Sequence, residues 1–208
     1  QLAPLLPPSI NIDNSLKQIG FKKTKHPSQD SGLMSLAESE DDIMSIFHKK
    51  WRNQLKKGLK SVSVKADTTG HKFFNVLLKL YNLQQSDKAF VGTSDKMLEA
   101  LISSQSNDFK FKIFVAYVGS SKEAVAILLA IQHHDFSEYV IGVSNNIGRK
   151  NNANSVLLWS AMLEAKKNGV LWFDVGGLNN ETIPEIARFK TRMNPTHYAL
   201  TGEWRKWF

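Results

Sequence analysis

The chain has 208 residues, 42% hydrophobic and 22% charged, enough apolar material to bury a substantial core as one domain, or as one domain plus a fragment of another. It contains no cysteine, which excludes disulfides and thiolate chemistry, argues against structural zinc and fits a reducing compartment. Its net charge of +8 points to an anionic partner. The best apolar run, Ala124–Ile131, is strand-sized and far from a membrane span, and Leu5-Leu6-Pro7-Pro8 is too short and broken for a signal peptide. A soluble, globular, cytoplasmic protein is expected.

Gln1–Pro8 is extended and punctuated by proline, Ile12–Ile19 suits a short helix ending at Gly20, and Phe21–Lys25 resumes as strand or loop. After the polar connector His26–Asp30, Gly32–Leu36 suits a strand, and Ser39-Glu40-Asp41-Asp42 starts a helix with acidic residues in its first turn. Ile43, Ile46, Phe47, Trp51 and Leu55 then form one apolar stripe, so a single basic helix is predicted over Ile43–Leu59, with lysines on its other faces. Lysines alone suit a solvated face. Trp51-Arg52 is a sharper signal, because a guanidinium beside a rigid aromatic can present its planar fork to phosphate, although a surface ion pair serves equally well.

A strand (Val62–Lys65) and two helices (His71–Leu83 and Ser94–Ile102) are predicted next. Phe109–Val118, Ala124–His134 and Tyr139–Val143, separated by turn residues, read as an antiparallel meander. His133 and His134 would face opposite ways on it and supply at most one inward ligand, so no metal site is expected. The amphipathic helix Asn154–Lys167 closes at Asn168-Gly169. A short buried strand, Val170–Phe173, delivers Asp174 and Gly176-Gly177 to the rim of the sheet. Pro184 opens a helix carrying Arg188, Phe189 and Lys190 back toward the strand ends, where open α/β sheets bind ligands. His197–Trp207 looks like a closing hairpin, its Trp204 and Trp207 suited to core packing.

The element order fits the acyl-CoA N-acyltransferase (GNAT) architecture, an α/β fold with a mixed, largely antiparallel sheet flanked by helices. Lys49-Lys50-Trp51-Arg52-Asn53-Gln54-Leu55, the Lys167-Asn168-Gly169 helix end, Phe173-Asp174-Val175-Gly176-Gly177 and Phe189-Lys190 resemble, in this order, the Fem family of aminoacyl-tRNA-dependent transferases. Those enzymes build the side branches of peptidoglycan precursors and contain two GNAT-like domains. The resemblance makes residues 37–208 the second domain and residues 1–36 the tail of a first, mostly missing one.

The resemblance implies a role for each of a few residues. Phe189 would stack on the terminal adenine of the tRNA, a contact worth about 1–3 kcal/mol. Lys190 would stabilise the oxyanion formed when an amine attacks the aminoacyl ester, a donor worth about 3–4 kcal/mol. Arg52, with Trp51 and Lys49 beside it, would contact phosphate of the nucleotide- or lipid-linked precursor, and Arg188 would border the same substrates. Asp174 could orient the amine or take its proton, and as readily caps the Gly176-Gly177 turn. The partners implied are aminoacyl-tRNA as co-substrate, a peptidoglycan precursor, and peripheral contact with the inner membrane surface; no separate cofactor is implied. One departure stands out: Thr191–His197 replaces the glycine-rich continuation common in the family.

Two other readings stay open. A CoA-dependent N-acyltransferase would need a pyrophosphate loop before the Asn154 helix, but Gly148–Ala153 is basic and flexible without the glycine spacing, Asn152 standing where the first glycine belongs. A noncatalytic RNA- or envelope-binding module would instead rely on Lys56, Lys57 and Lys60 in a salt-dependent manner.

Overall fold

The computed structural model describes residues 7–25, 30–178 and 184–207. The segments Gln1–Leu6 and His26–Gln29, which carry part of the expected N-terminal extension and connector, lie outside the described residues. In chain order the elements are α1 (Ile10–Gln18), β1 (Lys22–Lys23), β2 (Asp30–Ser35), α2 (Glu40–Ile46), α3 (Lys49–Gly58), β3 (Val62–Asp67), α4 (Phe74–Lys88) and α5 (Asp95–Ser103). They continue as β4 (Phe109–Val118), β5 (Ala126–His133), β6 (Phe136–Ser144), α6 (Asn146–Lys150), α7 (Ala153–Lys167), β7 (Trp172–Asp174), α8 (Pro184–Thr191), β8 (Thr196–Ala199) and β9 (Trp204–Arg205). The chain forms two compact units, residues 35–174 and residues 1–34 with 175–208.

In the larger unit the predicted meander forms as β4, β5 and β6, with Phe114 opposite Leu128 and Leu128 opposite Gly142; β3 pairs antiparallel with β4, and β7 joins β6 in parallel. Because strand side chains alternate between faces, Phe111, Ile113 and Val115 pack with Ile127, Leu129, Ile141 and Val143 against Leu77, Tyr81, Leu98 and Ile102 of α4 and α5. The intervening Lys112 points to the other face, where its Nζ lies 3.8 Å from Glu164 Oε1 on α7. Helix α7 is buried on nearly every side, including Val156, Leu157, Leu158, Trp159, Ala161, Met162 and Ala165. Asp67, at the end of β3, organises the turn into α4 by accepting hydrogen bonds from Thr69 N (3.0 Å), Thr69 Oγ1 (2.7 Å) and Phe73 N (3.2 Å).

The single helix expected over Ile43–Leu59 is two helices. Phe47 and His48 adopt extended backbone, with ψ near 142° and 140°. The break lets the Phe47 ring enter the core edge-on to Trp51 at 4.5 Å and to Trp159 at 5.8 Å. His48 Nδ1 accepts the amide of Lys50 and so caps α3. Burying a phenylalanine this completely is worth about 3–5 kcal/mol by the cost of truncating it to alanine, more than the one helical turn given up. Gly58 then allows α3 to press on the start of α7: a Cβ there would sit 2.6 Å from Val156 Cγ2 and 3.2 Å from the carbonyls of Asn151 and Asn152.

In the smaller unit β1 pairs antiparallel with β9, and β2 pairs antiparallel with β8, Gly32 opposite His197. The expected C-terminal hairpin therefore does not form; β8 and β9 each take a partner from the N-terminal segment. Thr201, fully buried, marks the redirection, its hydroxyl donating to Asp13 Oδ1 of α1 at 2.9 Å. Trp204 is buried beneath Lys23, whereas Trp207 is 85% exposed and takes no part in the core expected of it. The segment after β7 runs along β2, with Val175 N donating to Gly32 O and Leu178 N to Asp30 O, both at 2.9 Å.

Candidate functional site

Helix α8 begins at Pro184, whose fixed φ suits a first turn, and presents the three expected residues in different surroundings. Arg188 is exposed and Phe189 half-buried. Lys190 shares the inner face with Ala187 three positions earlier and is only 5% exposed. Its Nζ donates to the carbonyl of Gly177 at 3.3 Å, so the loop after β7 and the last turn of α8 together hold the lysine nitrogen out of bulk water. After Lys190 the chain turns tightly, Met193 N returning to Lys190 O at 2.9 Å, and Asn194 takes a left-handed conformation (φ 57°) before β8. The residues replacing a glycine-rich continuation thus form a compact turn.

Asp174 ends β7 in the larger unit, opposite Glu138 of β6, and is 2% exposed. His133 and His134 are both exposed, because His134 sits at φ 49° in the β5–β6 turn and the strand stops before one ring could turn inward. Among the described residues no group of His, Asp and Glu side chains could hold a metal ion.

The basic helix α3 separates its three candidates. Trp51 is fully buried, so it anchors the helix and presents no surface to a ligand. Arg52 Nη1 donates to the carbonyls of both Ser45 and Phe47 at 2.6 Å, closing the frayed end of α2. Lys49 is exposed and lines a cavity of about 790 Å³ together with Lys56, Lys57, Lys60, Lys150 and Asn152. The sequence reading passed over Lys150 and Asn152 as part of a flexible loop. They lie instead at the junction of α6 and α7, where the side chain of Asn145 caps α6 by accepting from Gly148 N at 2.9 Å. Asn152 has a left-handed backbone (φ 57°) and the junction is pinned to α3 by the Ser61–Asn151 hydrogen bond of 3.3 Å.

Burial lowers the pKa of Lys112 from its ordinary value, Glu164 opposing the shift and Lys110 adding to it. No helix among the described residues is long and apolar enough to cross a membrane.

The family model described as acetyltransferase (GNAT) domain matches residues 40–191. Among solved structures, FemX is similar with a TM-score of 0.73 and 14% identity over 94% of this chain and 68% of that one. The C-terminal domain of a putative lysylphosphatidylglycerol synthetase from Agrobacterium fabrum is similar with a TM-score of 0.64 and 10% identity, over 94% of this chain and 65% of that one. L-PGS from Bacillus licheniformis follows with a TM-score of 0.61 and 11% identity, over 92% of this chain and 63% of that one. None of the curated proteins matches in sequence. The chain spans about two thirds of the length of these relatives, and at such identities what it shares with them is the fold. With the GNAT domain model covering most of its length and the expected mixed, largely antiparallel sheet flanked by helices in place, the chain belongs to the GNAT acetyltransferase-domain family and has the Fem-like form of that fold.

Proposed function

We propose that the chain is the acyl-transferring part of an aminoacyltransferase that moves an amino acid from aminoacyl-tRNA to a primary amine of a nucleotide- or lipid-linked peptidoglycan precursor. The observation that carries this reading is Lys190: a lysine Nζ on a side chain 5% exposed, bonded to the Gly177 carbonyl, directly after a half-buried phenylalanine. Attack of the amine nitrogen on the ester carbonyl creates a tetrahedral oxyanion. The carbon–oxygen ester bond then breaks, the terminal ribose hydroxyl leaves, and the proton lost by the amine ends on that oxygen. A cationic donor shielded from water stabilises the oxyanion far better than the neutral ester, and so accelerates the chemical step. Phe189 offers the face on which the terminal base stacks, and Asp174 is the carboxylate assigned to the amine proton. Arg52 and Lys49 remain assigned to precursor phosphate, with the burden on Lys49, because Arg52 Nη1 is already committed to two carbonyls. The reaction belongs in the cytoplasm, where both substrates are made, beside the inner membrane surface when the precursor is lipid-linked.

A tRNA donor is favoured over CoA by the segment before α7. The amides of Gly148, Arg149, Asn151 and Asn152 are all bonded to acceptors within residues 145–149, which leaves a pyrophosphate only the first amides of α7 and none from the loop before it. Two names among the fold's relatives, FemX and lysylphosphatidylglycerol synthetase, support aminoacyl transfer in the same sense.

Parallel titrations of the chain with a CCA-ended acceptor minihelix and with acyl-CoA test the donor. The reading predicts saturable minihelix binding, weakened roughly 5- to 100-fold by Phe189→Ala, and no saturable CoA binding. Saturable CoA binding without an RNA response would overturn it.

A further inference from the structure

We propose that the lysine-lined cavity between α3 and the α6–α7 junction is the docking groove for the phosphate backbone of an RNA stem. It rests on the reading of aminoacyl-tRNA as donor and deepens it by naming the residues that hold the RNA backbone.

The chemistry of the walls selects the ligand. Of the ten residues lining the cavity, six are lysines and none is acidic or aliphatic, the others being asparagine, glutamine and the imidazole of His48. Such walls offer an acyl chain lysine stems but no aliphatic side chain to bury against, and a nucleobase only one small ring. Lysine ammonium groups act as mobile point charges, suited to phosphates whose orientation is not read, whereas bidentate recognition of one phosphate calls for arginine. The arginine on this helix, Arg52, is turned to the carbonyls of Ser45 and Phe47.

The charges are also available. Lys23 and Lys112 each have a carboxylate partner, at 3.2 and 3.8 Å, but among the described residues none of the six cavity lysines has one. Six like charges around about 790 Å³ repel one another, and a partner that neutralises several together removes that repulsion. Spacing decides between a diphosphate and a run of phosphates. Lys50 and Lys57, which leave Lys49 to the precursor, are seven residues apart on α3, about 10.5 Å along the axis at 1.5 Å per residue. One strand of a nucleic-acid duplex places a phosphate every ~3.4 Å along its own axis, so this length matches three to four phosphates and exceeds what a diphosphate can reach. Lys150 supplies charge from the opposite wall, as a groove requires and a flat membrane surface does not. The groove is rigidly backed, with Trp51 and Leu55 fully buried beneath α3 and Gly58 in close approach to α7.

Contacts of this kind hold RNA in register without reading its sequence. The test is the salt dependence of minihelix binding by fluorescence anisotropy for three proteins: wild type, Lys56→Ala/Lys57→Ala/Lys150→Ala, and the control Lys79→Ala/Lys96→Ala/Lys122→Ala, whose lysines are exposed elsewhere on the same unit. All six side chains are exposed, so both variants retain the fold, checked by their urea midpoints. The cavity variant is expected to lower the slope of log K against log salt by about 2 to 3, since each phosphate contact contributes about 0.7–0.9, and to weaken binding roughly tenfold or more. The control should change neither by more than about a third of that. Equal losses in both variants, an unchanged slope in the cavity variant, or no minihelix binding by wild type would each overturn the proposal. So would loss of binding to uridine diphosphate or phosphatidylglycerol vesicles with RNA affinity intact, which would move the cavity to the precursor or the membrane. Phe189→Ala in the same titration separates the two readings. If it weakens binding while the cavity variant does not, the transfer reading stands and the groove falls. If only the cavity variant weakens binding, the groove stands and Phe189 loses its role.

Discussion

Arg52 Nη1 lies 2.6 Å from the carbonyl oxygens of both Ser45 and Phe47, so one guanidinium nitrogen ties the end of α2 to the first turn of α3. Those carbonyls would otherwise lack a helical donor. Arg52→Ala is therefore expected to lower stability by about 1–3 kcal/mol, the range for a lost charge-assisted hydrogen bond, with Arg52→Lys recovering part of it. Urea unfolding measures this directly. An unchanged midpoint would contradict this structural role for Arg52.

Gly58→Ala should destabilise the larger unit. The added Cβ meets Val156 Cγ2 at 2.6 Å and two backbone carbonyls at 3.2 Å, and the carbonyls cannot rotate aside. Overpacking costs about 1–3 kcal/mol, against a gain of up to ~1 kcal/mol from better helix propensity, so the clash wins. Val156→Ala should rescue part of the loss in a double-mutant cycle, because it clears the nearest atom but not the carbonyls. Additive effects would show that the contact is not the cause.

Lys112 and Glu164 give a pH signature. Burial lowers the folded-state pKa of Lys112 below its ordinary 10.5, so between the two values the unfolded chain binds more protons and stability rises with pH. Below the folded-state pKa the lysine carries its full desolvation penalty, and by pH 10.5 most of that penalty is gone. Lys112→Met removes the buried ammonium while leaving Glu164, 26% exposed, able to reach water. The variant should equal or exceed wild type in stability at neutral pH, and its advantage should shrink on approaching pH 10.5. Urea midpoints from pH 7 to pH 10.5 test this, and an advantage that grows with pH would contradict it.

Where neighbours in sequence are also neighbours in space, the sequence was a sufficient guide. The meander from Phe109 to Val143 is legible because apolar alternation and turn residues act locally, and the end of α7 is marked by Gly169, which takes φ 78°. The break at Phe47–His48 is hidden because the apolar stripe Ile43, Ile46, Phe47, Trp51, Leu55 runs straight through it; what ends the helix is the packing of Phe47 on Trp159, far along the chain. Trp51-Arg52 shows the same limit: local sequence does not reveal that the indole is inside and that Arg52 Nη1 bonds backbone carbonyls. The C-terminal hairpin fails because β8 and β9 find partners in β2 and β1 at the opposite end of the chain. The groove beside α3 needs Lys150 and Asn152, brought in across a sequence separation of about ninety residues, as the Ser61–Asn151 bond shows. The helix carrying Phe189-Lys190 was legible from Pro184, but the roles assigned to the pair came only through family resemblance, since nothing in local spacing tells a buried lysine from a solvated one.

The most direct test of the central claim is single-turnover transfer from a charged acceptor minihelix to an amine-bearing precursor, comparing wild type with Lys190→Ala and Lys190→Met in the full-length protein. Methionine fills the space vacated by the buried side chain, so a folding defect in the alanine variant is separable from loss of the charge. If Lys190 stabilises the oxyanion, both variants bind minihelix and precursor as wild type does, while the chemical step slows by roughly 10²- to 10³-fold. A folded Lys190→Met variant that transfers at the wild-type rate would contradict the account.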